Sequence, residues 1–237
     1  MGGEVWAIVL AAGRGVRFGG LKQLAMAGGE RLVDRAVRTA TATCDGVVVV
    51  LPAGLVWDGP VVDRQVSGGA SRADSVRAGL AAVPPVAAIV VVADAAHPLA
   101  SAELHRHLID AVRAGADGAV ATTPMLEIVQ VVEQGRVVAT MPKEGTRITQ
   151  MPQAFRAEAL RVVHRGDPDA VDDSTLLVAR GAVVVPVDGE PWNLHVSTAA
   201  ELDVVGRLAS WLDEATAAQP VSAAGRLRTA ITHEAKR

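Results

Sequence analysis

Apolar residues in this chain come in short solid blocks, and between the blocks they return at helical spacing. The blocks are Val5–Leu10 and residues 47–51, 88–93, 118–122 and 182–187. Runs of this length, apolar throughout and bounded by small or turn-forming residues, predict strands buried on both faces of a parallel sheet. Residues 61–66 predict a further short strand. Helical stretches alternate with these blocks: 30–42, a segment capped by Ser71 that runs to Ala82, another capped by Ser101 that runs to about Ala114, then 156–165, 172–180 and 198–217. The alternation predicts an α/β fold, an open, mostly parallel twisted sheet with helices on both faces. Residues 127–140 break the pattern. Ile128, Val129, Val131, Val132, Val137 and Val138 flank the turn Glu133-Gln134-Gly135, which predicts a β-hairpin. Being apolar on both faces, it either projects as an arm covered by a second copy or folds back on its own sheet. The expected organisation is one domain over residues 1–213, with the arm at about 127–141 and a tail over 214–237. Residues 219–237 are Ala-rich and charged and lack a core-facing stripe.

Composition narrows this picture. The 237 residues suit a single α/β domain, and with 50% hydrophobic but only 3% aromatic residues and no Tyr, the core must be built of Val, Ala and Leu. A formal net charge of −3 leaves no footprint for nucleic acid. The single Cys44 excludes an intramolecular disulfide framework and a cysteine-built zinc site. The opening Met-Gly-Gly-Glu-Val has no basic leader character, and no run of about 18 uncharged apolar residues occurs. A soluble cytoplasmic protein is expected.

The chemistry starts where the first strand ends, in Ala11-Ala12-Gly13-Arg14-Gly15-Val16-Arg17-Phe18-Gly19-Gly20-Leu21-Lys22. Glycines let backbone approach a ligand closely, so free N–H groups can point at an anion. Arg17 and Lys22 add a planar fork and a point charge, a combination that suits a triphosphate. The stretch is not a P-loop, and Gly13-x-Gly15 lacks the third glycine of a dinucleotide fingerprint. Taken alone, it also fits a plain turn between strand and helix. In an open sheet of this kind, ligands sit beyond the carboxyl ends of the strands. The glycine loop, the Asp94 turn and the segment after Val187 all fall there.

Four stretches, LAAGRGVRFGGLKQ (10–23), GGASRADSVRAGL (68–80), VADAAHPL (92–99) and TQMPQAFRAEAL (149–160), resemble in order and spacing the 2-C-methyl-D-erythritol 4-phosphate cytidylyltransferase family, over roughly residues 4–210. The resemblance implies a Rossmann-like nucleotidyltransferase domain whose hairpin arm builds a homodimer. It implies transfer of CMP from CTP to a polyol phosphate in isoprenoid biosynthesis, with release of pyrophosphate and with Mg²⁺ or another divalent cation. By the same resemblance, Ala11, Ala12, Gly13, Gly15, Gly69, Ser75, Asp94 and Ala95 would contact the nucleotide. Arg17 and Lys22 would hold the triphosphate, with Lys143 and His195 as further catalytic positions. Asp94 would meet the metal, and Asp94, His97, Glu127, Ile128, Lys143 and Met151 would face the acceptor.

The sequence also departs from the family's pattern. Where the resemblance expects arginine after Asp94-Ala95-Ala96, this chain has His97, and where it expects an active-site lysine it has His195. Glu127-Ile128, Lys143 and Met151 replace Asp-Thr, an arginine and a threonine, and Ala70 follows the Gly68-Gly69 pair in place of a carboxylate. The changes gather on the acceptor side. If the two histidines hold an anion they must be protonated, so acceptor binding is expected to weaken as pH rises through the histidine range. The pair alone is too small for a metal site, and the sequence indicates no third ligand. His105 and His107 are expected at the surface, and Asp172-Asp173 at a helix N-terminus rather than on a metal. Besides the cytidylyltransferase, the sequence leaves open a relative with another phosphate or phosphonate acceptor and a non-catalytic paralogue.

Overall fold

The computed structural model describes residues 3–166, 168 and 170–218. The expected tail 219–237 lies outside these residues.

β1 (Val5–Leu10) is central and explains why its sequence is apolar without alternation. Val5, Ala7 and Val9 enter one core cluster, Trp6, Ile8 and Leu10 the other, so both faces of the strand are covered. β2 (Met26–Ala27) and β3 (Glu30–Arg31) form a small ribbon before α1 (Leu32–Thr41). β4 (Gly46–Leu51) and β5 (Arg64–Ser67) follow, then α2 (Arg72–Ala82), β6 (Ile89–Asp94), α3 (Ala102–Arg113) and β7 (Gly118–Pro124). β8 (Gln130–Glu133) and β9 (Arg136–Thr140) make the hairpin. The chain ends with β10 (Arg147–Arg156), α4 (Ala157–Val163), α5 (Asp173–Val178), β11 (Val184–Asp188) and α6 (Ala199–Ala218).

The seven-stranded sheet has the order β11-β7-β10-β6-β1-β4-β5. All its pairings are parallel except the two that β10 makes, with β6 and with β7. α1 and α3 cover one face, with Val33, Val37, Leu104 and Leu108 in the first cluster. α2, α4 and α5 cover the other with Val76, Leu80, Leu160 and Leu177. α6 closes a third cluster with Leu32, Leu99, Val196, Val205 and Ala209. Among the described residues, no helix is long and apolar enough to cross a membrane.

Two expectations change, and of the two readings of the hairpin the projecting arm holds. β10 is a central strand, whereas the sequence pattern predicts only a helix from 156. The hairpin does not fold back on the main sheet. β8 and β9 pair only with each other, and every residue of both is exposed. His105 is not at the surface; it is 2% exposed, with Nδ1 3.2 Å from the Thr43 hydroxyl, and burial lowers its pKa to about 4. His107 does lie at the surface, 3.8 Å from Glu103.

Candidate active site

The glycine loop turns on one residue. Gly15 has φ +59°, and a Cβ there would lie 1.8 Å from the Gly20 carbonyl oxygen, so only glycine fits. The Gly15 carbonyl accepts from the amides of Phe18, Gly19 and Gly20. Those three N–H groups are therefore spent on the loop itself and are not offered to a ligand. The Ala11 N–H is likewise taken, donating to the Val50 carbonyl at 2.8 Å to continue the sheet. The amides of Ala12 through Arg17 donate to no acceptor among the described residues. Of these, Ala12, Gly13 and Arg14 line the cavity described below and are its candidate anion donors.

The second wall comes from the start of α2. Ser71 caps the helix by accepting from the Asp74 amide, and the Asp74 carboxylate accepts from the Ser71 amide in return, a complete capping box. Gly68 lets this turn close on the glycine loop: a Cβ there would stand 2.3 Å from the Ala12 Cβ and 2.8 Å from the Ser75 hydroxyl. The Gly69 amide donates to that hydroxyl at 3.3 Å.

The third wall is the turn after β6. The Ala96 amide donates to Asp94 Oδ1 at 2.8 Å and the His97 amide to the Asp94 carbonyl at 2.9 Å, which fixes the carboxylate at the strand end. Facing it is the segment after β11, held by β10. Gln150 Nε2 donates to the carbonyls of Glu190 and Asn193, and Asn193 Nδ2 donates to the Met151 carbonyl at 2.7 Å. From there Val196 donates its amide to the Ala96 carbonyl and accepts from Lys22 Nζ at 2.9 Å. This stitching brings His195 over His97, with ring centroids 4.9 Å apart.

A cavity of about 340 Å³ opens between these walls. It gathers Ala11, Ala12, Gly13, Lys22, Gly69, Ser75, Asp94 and Ala95 from the expected set. Gly15 shapes the loop, and the exposed Arg17 lies close enough to act electrostatically on Lys22. Burial moves the Lys22 ammonium below the usual lysine range, with Arg17 adding to the shift and Asp94 opposing it. Sequence reasoning did not assign Gln23 and Arg72, which also line the cavity. Both amide atoms of Gln23 are buried without a partner, as is Nη1 of Arg72, whose Nη2 reaches Asp173 at 2.7 Å. Asp173 also meets His164 at 2.9 Å; burial works against its charge, but these two partners hold its carboxyl below the usual range. Asp172 caps α5 through the Ser174 amide, so the acidic pair serves a helix start, as expected.

The acceptor-side expectations divide. Neither His97 nor His195 lines the cavity; both lie beside it, next to Asp94. Burial lowers the His97 pKa to about 4, and burial also lowers that of His195, with Lys22 adding to the effect. Both shifts disfavour the charged form, so anion binding that needs these rings protonated is pushed to lower pH than the sequence alone implies. Met151 does not reach the cavity; at 8% exposed it packs in the core with Ile8, Val92 and Phe155, because the register of β10 turns it inward. Glu127, Ile128 and Lys143 lie exposed at the base of the arm and do not line the cavity of their own chain; Lys143 Nζ donates to the Leu126 carbonyl.

A parallel sheet with one reversed strand, and a cavity of free amides, a lysine and a carboxylate at its carboxyl edge, define a Rossmann-like α/β protein built to hold a polyanion. The comparisons make this specific. The family model described as 2-C-methyl-D-erythritol 4-phosphate cytidylyltransferase matches residues 5–207, and the chain belongs to that family. A relative of that name from Nocardia farcinica is 37% identical over 84% of this chain and 91% of its own length. A bifunctional enzyme IspD/IspF from Anaeromyxobacter dehalogenans is 39% identical over 83% of this chain, and there the match spans 54% of the relative. The crystal structure of the cytidylyltransferase from Thermus thermophilus superposes with a TM-score of 0.75 at 27% identity, over 85% of this chain and 97% of that one.

Proposed function

We propose that this chain transfers the cytidylyl group of CTP to 2-C-methyl-D-erythritol 4-phosphate and releases pyrophosphate, a step of isoprenoid biosynthesis. The observation that carries the reading is the cavity that Ala12, Gly13 and Arg14, with their unpaired amides, line together with Lys22 and Asp94, in a chain of this family. A phosphate monoester is already an anionic nucleophile, so the reaction needs no strong base. An acceptor phosphate oxygen attacks the α-phosphorus, the bond to the β-phosphate oxygen breaks, and pyrophosphate leaves with the electron pair. The chain's part is positioning and charge. The glycine-loop amides hold the phosphates, Arg17 and Lys22 neutralise charge on the phosphoryl oxygens, and Gly69 and Ser75 sit on the nucleoside side.

The residues present fit a magnesium ion. The Ala96 amide takes only one Asp94 oxygen, which leaves the other for the ion, and Mg²⁺ commonly uses one or two carboxylates with substrate phosphates. Bound there, it would neutralise charge on the triphosphate. Two copies joined through the arms would cover the exposed valines of β8 and β9, and would give Glu127, Ile128 and Lys143 a neighbouring copy's site to act on.

The test is pyrophosphate release with CTP, Mg²⁺ and the acceptor. Lys22→Ala should lower turnover about 10²-fold or more, as expected for one preorganised electrostatic contact. It should also cost about 1 kcal/mol of stability, because Lys22 is bonded to the Val196 carbonyl. Undiminished turnover in that variant would remove Lys22 from the chemistry, and no release from the wild type would remove the reading.

A further inference from the structure

We infer that Asp94, His97 and His195 form a three-ligand site for a divalent transition-metal ion of the Zn²⁺ class, held beside the cavity where Asp94 lines it. One ligand atom from each residue can be chosen so that all lie within 4.8 Å of one another. A carboxylate and two imidazoles with an open side is the donor set of catalytic zinc and related sites, whereas imidazole is a poor ligand for magnesium.

The surroundings favour ligation over an ordinary packing role. Nδ1 of the His97 ring is buried with no hydrogen-bond partner, a state that costs stability unless something occupies it. The Nδ1 of His195 lies 2.9 Å from the Ser197 hydroxyl, which orients the ring and leaves Nε2 free. Metal-binding histidines are commonly oriented through their second nitrogen in this way. Asp94 is held by the Ala96 amide through one oxygen only. The three ligands come from two segments, the turn after β6 and the segment before α6, and the bond from the Val196 amide to the Ala96 carbonyl keeps these together without the ion.

The substitutions then make chemical sense as a set. Where the resemblance expects an arginine and a lysine, this chain carries two imidazoles, and an ion of charge +2 on them returns the two positive charges that a phosphate acceptor needs. Magnesium that arrives on the triphosphate would share the Asp94 carboxylate with the inferred ion, which stays with the protein and uses an open position for an acceptor oxygen. The binding itself stands on the geometry, and only the ion's task rests on the function proposed above.

The experiment uses untagged, metal-stripped full-length protein without nucleotide, titrated with ZnCl₂ by calorimetry and with CoCl₂ by visible absorption. One ion per chain is expected, with ligand-field bands of a low-coordinate Co²⁺ site that excess Mg²⁺ does not erase. His97→Ala and His195→Ala should each weaken binding at least about tenfold, since even loss of an orienting partner around a metal ligand costs 10- to 100-fold. His195 is half open to solvent, so its variant should keep the wild-type circular dichroism and report on ligation without a folding defect. Unchanged affinity in that variant, or equal competition by Mg²⁺, would overturn the site. Zn²⁺ should also lower the acceptor KM of the stripped protein. An unchanged KM alongside tight binding would overturn the ion's task and leave the site, and tight binding without any cytidylyl transfer would overturn the proposed function and leave the site.

Discussion

The ring of His105 is closed off from water against Thr43, and burial lowers its pKa from 6.5 to about 4. Below pH 6.5 the unfolded chain binds a proton there that the folded chain refuses. The stability held by the neutral ring is therefore complete above about pH 6.5 and is lost as pH falls toward 4. Between pH 7 and pH 5 this residue should cost up to about 2 kcal/mol. Urea unfolding of wild type and His105→Gln at the two pH values checks it; the variant should lose much of the pH dependence, and equal slopes would place the effect elsewhere. The burial of His105 was legible in part. Leu104, Leu108, Ile109 and Val112 mark the buried face of α3, and position 105 lies four residues before Ile109 and seven before Val112 on that face. His107, two residues on, does not share that face. The site residues were readable where the glycine loop and the Asp94 turn carry distinctive residues. Gln23 was not, since nothing in an isolated Gln signals that both its amide atoms will be buried without partners.

At the scale of elements, the buried parallel strands were plain in the sequence because burial on both faces removes all polar positions from them. β10 was hidden because its sequence, RITQMPQAFR, carries Pro152 and four Thr, Gln or Arg residues before its apolar end. The sheet accommodates this with a register shift between Gln150 and Gln153, the kind of irregularity where a strand tolerates proline. The buried glutamines serve the neighbouring segments: Gln150 binds the 190–193 turn and Gln153 Nε2 reaches Asp172 at 2.7 Å. α6 is attached by a device that periodicity does not show. Arg35 is 4% exposed, donates to the Ala27 carbonyl and pairs with Asp213 of α6. That pairing holds the Asp213 carboxyl below the usual carboxylate range. Asp213→Ala should cost about 1 to 2 kcal/mol once its partial exposure is allowed for. Hydrogen exchange should then speed up in α6 more than in the sheet. Uniform loss of protection would mean that α6 does not separate from the domain as a unit.

For the whole molecule, the arm is where the proposed assembly can be tested. Val132, Val137 and Val138 are each more than half exposed on a two-stranded ribbon that pairs with nothing else among the described residues, and Ile128 just before it is equally open. Such a ribbon is marginal in water by itself. Light scattering at micromolar concentration should give the mass of a dimer, and Val132→Glu with Val137→Glu should give a folded monomer. A wild-type monomer would show that the arm stands alone.

The reversed strand has one more consequence, in time rather than space. β6 takes its second neighbour from β10, which the ribosome supplies only after residues 95–146 have been made. At about 5 to 20 residues per second this interval is on the order of 3 to 10 s. Through it the nascent chain presents Ile89-Val90-Val91-Val92 as a bare, uncharged edge, the kind of template on which other strands add. A product terminated before Arg147 keeps that edge permanently. Chains cut short before Arg147 are therefore expected to aggregate more readily than chains that include β10, which sedimentation of the two products would check.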